Sequence, residues 1–229
     1  EVHQGWSLDP AAGYAFAVDV ALVPVTTTQF EKAAGTYPLV FVHDGACVTA
    51  CAVMGYRQKE NLFVDDTGAW DAQFVPACVR RYPFVFAGVE GRDSLALCLD
   101  GTYAGFNQEG RGETLFTLSG AKSPFLDDRL ALLQQFQAQQ MHSVELAGSL
   151  AALDLLEPVT AQVSLATGEQ LTLGGFSTVN RDRLRALPPE KLSELAQDDW
   201  LELIYIHLFS LANFADLMDR FARRQGAVT

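Results

Sequence analysis

The sequence predicts an α+β fold: an N-terminal antiparallel sheet with short helices, a central helical pair, a C-terminal hairpin and a long amphipathic helix. Three observations predict it. Short apolar runs separated by turn residues fill the first hundred positions, as antiparallel strands require. Residues 159–173 alternate, with Val159, Ala161, Val163 and Leu165 against Thr160, Gln162 and Ser164, and the pattern resumes at Leu171 and Leu173 after Thr167-Gly168. That is a hairpin with one buried face. From Trp200 onward, Ile204, Leu208, Leu211, Met218 and Phe221 recur at helical spacing and give an amphipathic stripe.

In chain order, the first 13 residues are polar, interrupted by glycine and proline, and read as a loose arm. Residues 14–25 alternate and are rich in Val and Ala, which reads as strand. Residues 28–34 read as a short helix, capped by Thr27 or Thr28 and stopped at Gly35. The runs 37–43 and 47–55, joined at Asp44-Gly45, form a predicted hairpin. Further strands are expected at 61–64, 81–87 and 94–100, and the glycine-punctuated stretch 101–120 is expected to cover a sheet edge. Ser123-Pro124 combines a hydroxyl cap with proline in the first turn of a helix carrying Leu126, Leu130, Leu133 and Phe136. A second helix is expected over 143–156, and short ones over 180–187 and 188–197. The terminal helix spans 198–225, with Asp198, Asp199 and Glu202 at its start and Arg220, Arg223 and Arg224 at its end, both favourable to its dipole. Its stripe is expected to pack against the same chain. The whole reads as one domain, with 1–156 and 157–229 as parts sharing a core.

With 229 residues, 49% of them apolar and 15 of them Phe, the chain is large enough to form a core without a staple or metal. Its net charge of −12 repels phosphate backbones, so no nucleic-acid partner is expected. No Lys/Arg-rich amphipathic face suits an anionic membrane surface, and no window is expected to approach the ~20 apolar residues of a spanning helix, so membrane insertion is not expected. Glu1 stands where an initiator Met would, so trimming or fusion is expected, and the stretch itself holds no signal segment. On a regular strand Cys47 and Cys51 share a face but lie about 13 Å apart, too far for a disulfide. Cys78 and Cys98 stand alone and offer no second zinc-ligand pair. Free thiols, no metal and no cofactor are expected, in a reducing cytoplasmic compartment, or in the cell envelope if a leading segment has been removed.

The densest stretch is 60–86, ENLFVDDTGAWDAQFVPACVRRYPFVF, which concentrates aromatic, proline and paired-arginine positions. Together with Tyr37-Pro38-Leu39-Val40-Phe41, Glu109-Gly110, Leu115-Phe116, Ser123-Pro124-Phe125-Leu126 and Ile204-Tyr205-Ile206-His207-Leu208, it resembles the SapC family of bacterial proteins. The likeness covers most of the chain and departs at Phe74, where a tyrosine is expected, and at Cys78. The resemblance implies a bacterial protein with a link to surface layers or the cell envelope. It also implies genes that accompany outer-membrane uptake receptors and oxidative tailoring enzymes, and it implies no reaction.

No phosphate-binding glycine loop, G-x-S-x-G elbow or H-E-x-x-H is present. His3, His43, His142 and His207 are scattered, and the adjacent His43-Asp44 face opposite ways on a strand, which gives no two-histidine, one-carboxylate set. Asp65-Asp66 before Gly68 reads as an acidic turn rather than a calcium loop, and His207 as a hydrogen-bonded core histidine. The sharpest candidates are Arg80 and Arg81, adjacent guanidiniums beside Trp70 and Tyr82 that suit a carboxylate or aromatic stacking. Asn61 joins them as a candidate binding residue of the same stretch. On an extended segment the two arginines point opposite ways. One is therefore expected buried or half-buried in a carboxylate pair, with an acid such as Glu60 or Asp71, the other in solvent beside Trp70. The expected function is a non-catalytic accessory or binding protein holding a protein partner or a small acidic ligand on this aromatic and arginine surface. The alternative is a tailoring enzyme acting on a peptide or amino acid, without an assignable catalytic motif. A concave pocket at Arg80 with a base in reach would favour the enzyme, a shallow aromatic patch a binding module.

Overall fold

A computed structural model describes residues 3–45, 47–88, 95–164 and 170–226. Its strands are β1 (Ser7–Leu8), β2 (Leu22–Pro24), β3 (Leu39–Asp44), β4 (Cys47–Val53), β5 (Phe84–Gly88), β6 (Leu95–Leu99), β7 (Phe106–Asn107), β8 (Glu113–Thr114), β9 (Leu156–Ser164) and β10 (Gln170–Val179). Its α-helices are α1 (Phe30–Ala34), α2 (Ala77–Arg80), α3 (Pro124–Ala152), α4 (Arg181–Arg185), α5 (Pro189–Gln197), α6 (Trp200–Ser210) and α7 (Asn213–Arg224).

The main sheet is antiparallel, five-stranded and ordered β2-β4-β3-β10-β9. The first predicted hairpin is β3–β4, paired from Leu39↔Ala52 to Asp44↔Cys47. The second is β9–β10, whose register shifts between Leu173 and Phe176; its Thr167-Gly168 turn and Leu165 lie outside the described residues. Strand β10 joins the two hairpins where Ser177 pairs with Phe41, and the Ser177 hydroxyl lies 3.2 Å from His43 Nε2. Helix α3 packs on β4, and α6 lies against β3 and β10. The larger buried cluster draws on both halves of the chain, from Phe30, Tyr37 and Phe41 to Ile204, Leu217 and Phe221. A smaller cluster gathers Phe84, Leu115, Leu126 and Leu133 beneath the β5–β6 ribbon and the β7-β1-β8 sheet.

Several local expectations are corrected. The N-terminal arm is pinned, because β1 is the central strand between β7 and β8. Gly112, at φ +80, makes this approach possible: a Cβ there would run into the Leu8 carbonyl oxygen. Residues 14–25 are not one strand. Tyr14 N bonds to Gly68 O at 2.7 Å, a 3₁₀ turn follows at Ala15–Ala17, and only Leu22–Pro24 pairs with β4. Residues 61–64 form a loop with a single Val64↔Trp70 bridge, and the strand expected from 81 starts at Phe84. The segment 101–120 supplies β7 and β8 of a separate small sheet, not cover for the edge of the main one.

The central helical pair is one 29-residue helix, α3. Ser143 looks like a cap in sequence, yet its hydroxyl donates to Gln139 O at 2.8 Å within the helix and accepts Thr27 N at 2.9 Å. No proline or glycine interrupts 137–143, so nothing stops the helix there. Ser123 does cap, accepting Leu126 N at 3.2 Å.

The long C-terminal helix runs from 200 to 224 and tightens at Leu211–Ala212 through bonds such as Phe214 N to Leu211 O. Its inner face buries Ile204, His207, Ser210, Leu217 and Phe221, while Tyr205 and Phe209 face outward. By length and composition this helix is long and apolar enough to cross a membrane, and most of its apolar stretch is not buried in the protein. This corrects the expectation that no window is apolar enough: Glu202, His207, Asn213 and Asp216 interrupt the stretch, but the apolar residues around them outweigh these four.

Candidate functional site

The loop at Tyr14–Phe16, the turn after α2, the loop at Tyr103 and the first turns of α3 enclose a cleft of about 800 Å³. It opens at the seam between the two buried clusters, with Phe16 and Val79 belonging to one and Phe84 and Phe125 to the other. One wall is an aromatic stack. Phe16 lies 4.1 Å from Tyr82 and nearly parallel to it, and Tyr103 meets both edge-on at 5.7 and 5.3 Å. Such contacts are favourable beyond the area they bury and hold the rings in place.

Hydrogen bonds fix the same wall. Tyr82 donates its hydroxyl to Asp100 at 2.6 Å, and Asp100 also accepts from the Thr102 amide and hydroxyl. Tyr103 donates to Gly13 O at 3.2 Å. Desolvation, with the Asp100 carboxylate second, pushes the Tyr82 phenol up to about 12, so it stays a neutral donor at ordinary pH.

Two guanidiniums face this wall. Arg80 is exposed at the end of α2, and its Nε donates to Val75 O at 3.0 Å. Arg129, on α3, lies 5.2 Å above the Phe125 ring. Its Nε is buried and has no hydrogen-bond partner among the described residues. Sequence reasoning missed Arg129. The available signal was Phe125 and Arg129 four residues apart, directly after the Ser123 cap, which places both on one helix face. Glu113 and Asp128 add carboxylates to the lining.

Of the five residues predicted from sequence, Arg80 and Tyr82 line the cleft. Trp70 stands behind it: the ring packs edge-on against Tyr14 at 5.6 Å, and Nε1 donates to the Tyr37 hydroxyl, which itself donates to Phe74 O. Burial pushes the Tyr37 phenol up to about 12. Arg81 turns away, half-buried, with its guanidinium 4.7 Å from the Phe136 ring centre and 4.0 Å from Cys78 Sγ. The expected split of the arginines holds in exposure, with Arg80 exposed and Arg81 half-buried, but not in the carboxylate pair. Residues 77–80 are helical rather than extended, and among the described residues neither arginine meets a carboxylate. Glu60 instead accepts the Tyr56 and Arg57 amides, and Asp71 pairs with Arg220 at 2.6 Å. Asn61 is fully buried, donating to Ala17 O and accepting Phe63 N, so it ties backbone segments together.

Other titratable groups lie elsewhere. The Asp65 carboxylate is taken up by its own turn, accepting from Thr67 N, Thr67 Oγ1 and Ala69 N. Cys47 and Cys51 are free thiols on β4, and Cys78 and Cys98 are free as well. Among the described residues no three His, Cys, Asp or Glu side chains come together in a way that would hold a metal ion.

Neither a curated protein nor a solved structure matches the chain. The SapC family model matches residues 1–217. That span includes both arginines, the aromatic wall and all of α3, and the chain belongs to the SapC family.

Proposed function

We propose that this SapC protein is a non-catalytic binding protein that holds an acidic ligand carrying an aromatic group in the Arg80–Arg129 cleft. The observation that carries this reading is Arg129, whose Nε is buried and without a hydrogen-bond partner among the described residues, in the lining of a hollow walled by Phe16, Tyr82, Tyr103 and Phe125. A buried Nε–H without an acceptor costs free energy, and a ligand carboxylate is the complement of the half-buried guanidinium that carries it. The concave wall favours a small ligand over a flat protein surface, and with Glu113 and Asp128 in the same lining it meets the criterion that favours the second reading below. The free thiols support a reducing, cytoplasmic location, and the net charge of −12 argues against nucleic acid as a partner.

The test is isothermal titration with N-acetyltyrosine and its neutral amide. The acid should bind at least about tenfold tighter than the amide, and Arg129→Met should abolish that preference. Equal affinity for both forms, no binding of either, or an unchanged preference in the variant would overturn the proposal. A second reading, a tailoring enzyme acting on a peptide or amino acid, is favoured by Glu113 and Asp128, carboxylates in the same cleft that would serve as a base. Mass spectrometry of recovered ligand separates the two: unchanged ligand supports binding, and a new mass supports the enzyme.

A further inference from the structure

We propose that Cys78 is a peroxide-reactive thiol, set beside Arg81 and closed into a disulfide by Cys51, and that its substrate is an organic hydroperoxide. This holds whatever the Arg80–Arg129 cleft binds. Cys78 stands half-buried on α2, and the Arg81 guanidinium donates to its Sγ at 4.0 Å. Two hollows, of about 260 and 300 Å³, meet at this pair, because Pro24, Cys78 and Arg81 line both. Pro24 is the link to the second thiol. It pairs with Cys51 across β2–β4, and residues directly opposite on antiparallel strands project to one face with Cβ atoms about 5 Å apart. Cys51 therefore lies beneath the face that Cys78 covers. Burial, with the neighbouring Cys78 second, pushes the Cys51 thiol up to about 12. The half-buried Cys78, not the buried Cys51, is then the sulfur that meets a substrate first.

The lining selects the substrate. Phe16, Val20, Val23, Val79 and Val85 wall the smaller hollow and suit an alkyl or aryl group. In the lining of the other, Gln140 Oε1 is buried without a hydrogen-bond partner among the described residues, an acceptor that a hydroperoxide O–H satisfies. Cys78 Sγ attacks the terminal peroxide oxygen, so that an S–O bond forms and the O–O bond breaks. The sulfur is oxidised by two electrons and the peroxide reduced. The thiol proton passes through solvent to the departing alkoxide, which leaves as an alcohol. The Arg81 charge stabilises the negative charge that moves from sulfur to that oxygen. Cys51 Sγ then attacks the Cys78 sulfenic acid: the S–S bond forms, the S–O bond breaks, and hydroxide leaves with the Cys51 proton as water. All four cysteines start as free thiols, and in a reducing compartment a disulfide of this kind is transient and reports oxidation.

The experiment is oxidation of the reduced protein with one equivalent of cumene hydroperoxide, followed by mass-spectrometric mapping of thiols and disulfides. Cys51 and Cys78 should be joined in most oxidised chains, with Cys47 and Cys98 still free. In Cys51→Ala, dimedone should label Cys78 as the trapped sulfenic acid. Arg81→Met should slow loss of the Cys78 thiol at least about tenfold, and Arg81→Lys should restore most of the rate. Relative to free cysteine, hydrogen peroxide should react at least about tenfold more slowly than cumene hydroperoxide. Oxidation spread over all four cysteines, or Cys78 oxidised in the wild type without closing on Cys51, would overturn the thiol pair, and neither result needs a variant to fold. An unchanged rate in Arg81→Met would overturn the part given to Arg81. Equal relative rates for the two peroxides would overturn the organic substrate.

Discussion

Acidification should weaken this fold through His207. The ring is fully buried on α6, 5.0 Å from the Phe41 ring, and its Nε2 accepts the Val179 amide at 3.0 Å. That bond requires a neutral Nε2 acceptor, and desolvation holds the imidazole pKa down to about 4. In the unfolded chain histidine titrates near 6.5. Between these values the unfolded chain binds a proton that the folded one does not, so stability is full above about 6.5 and is lost as pH falls through about 4. The difference corresponds to roughly 3 kcal/mol in total, about 2 of it by pH 5. Urea unfolding from pH 7.5 to 5 measures it directly. This window also keeps Asp65 and Asp100 ionised, since hydrogen bonds led by the Thr67 and Thr102 hydroxyls hold both below the usual carboxylate range. The comparison is His207→Gln, whose amide oxygen accepts from Val179 without titrating. The wild type should lose about 2 kcal/mol relative to the variant. Parallel pH profiles for the two proteins would refute the reasoning.

Asn61→Ala removes a donor to Ala17 O and an acceptor for Phe63 N inside the core, and should cost about 2–3 kcal/mol in urea unfolding. A loss below about 0.5 kcal/mol would contradict its role as a tie between segments. Arg81→Ala should cost about 1 kcal/mol through its stacking on Phe136 and leave N-acetyltyrosine affinity unchanged. Weaker binding in that variant would contradict the placement of Arg81 outside the cleft.

Both hairpins were legible because alternation, as at Val159, Ala161 and Val163, and turn residues, as at Asp44-Gly45, are local signals. What escaped depends on distant partners. Ser7 and Leu8 carry no strand pattern and are ordered by pairing with Phe106–Asn107 and Glu113–Thr114. Ser143 resembles a cap, but its hydroxyl is occupied by Gln139 and by the Thr27 amide 116 positions away. At the site, motif density marked structure and ligand surface alike. Arg80 and Tyr82 reach the cleft, while Asn61 anchors Ala17, Trp70 braces Tyr14 and Arg81 covers Phe136. Arg129 was hidden because an arginine in a polar helix reads as a solvated face; only the seam between the two clusters makes it part of a wall.

The most direct measurement is the ¹⁵N-detected arginine Nε–H spectrum during titration with N-acetyltyrosine. The account predicts that the Arg129 Nε–H signal moves to saturation, because that buried donor gains its acceptor, and that Arg80 moves with it while Arg81 stays in place. A stationary Arg129 signal at saturating ligand, or shifts confined to Arg81, would contradict it.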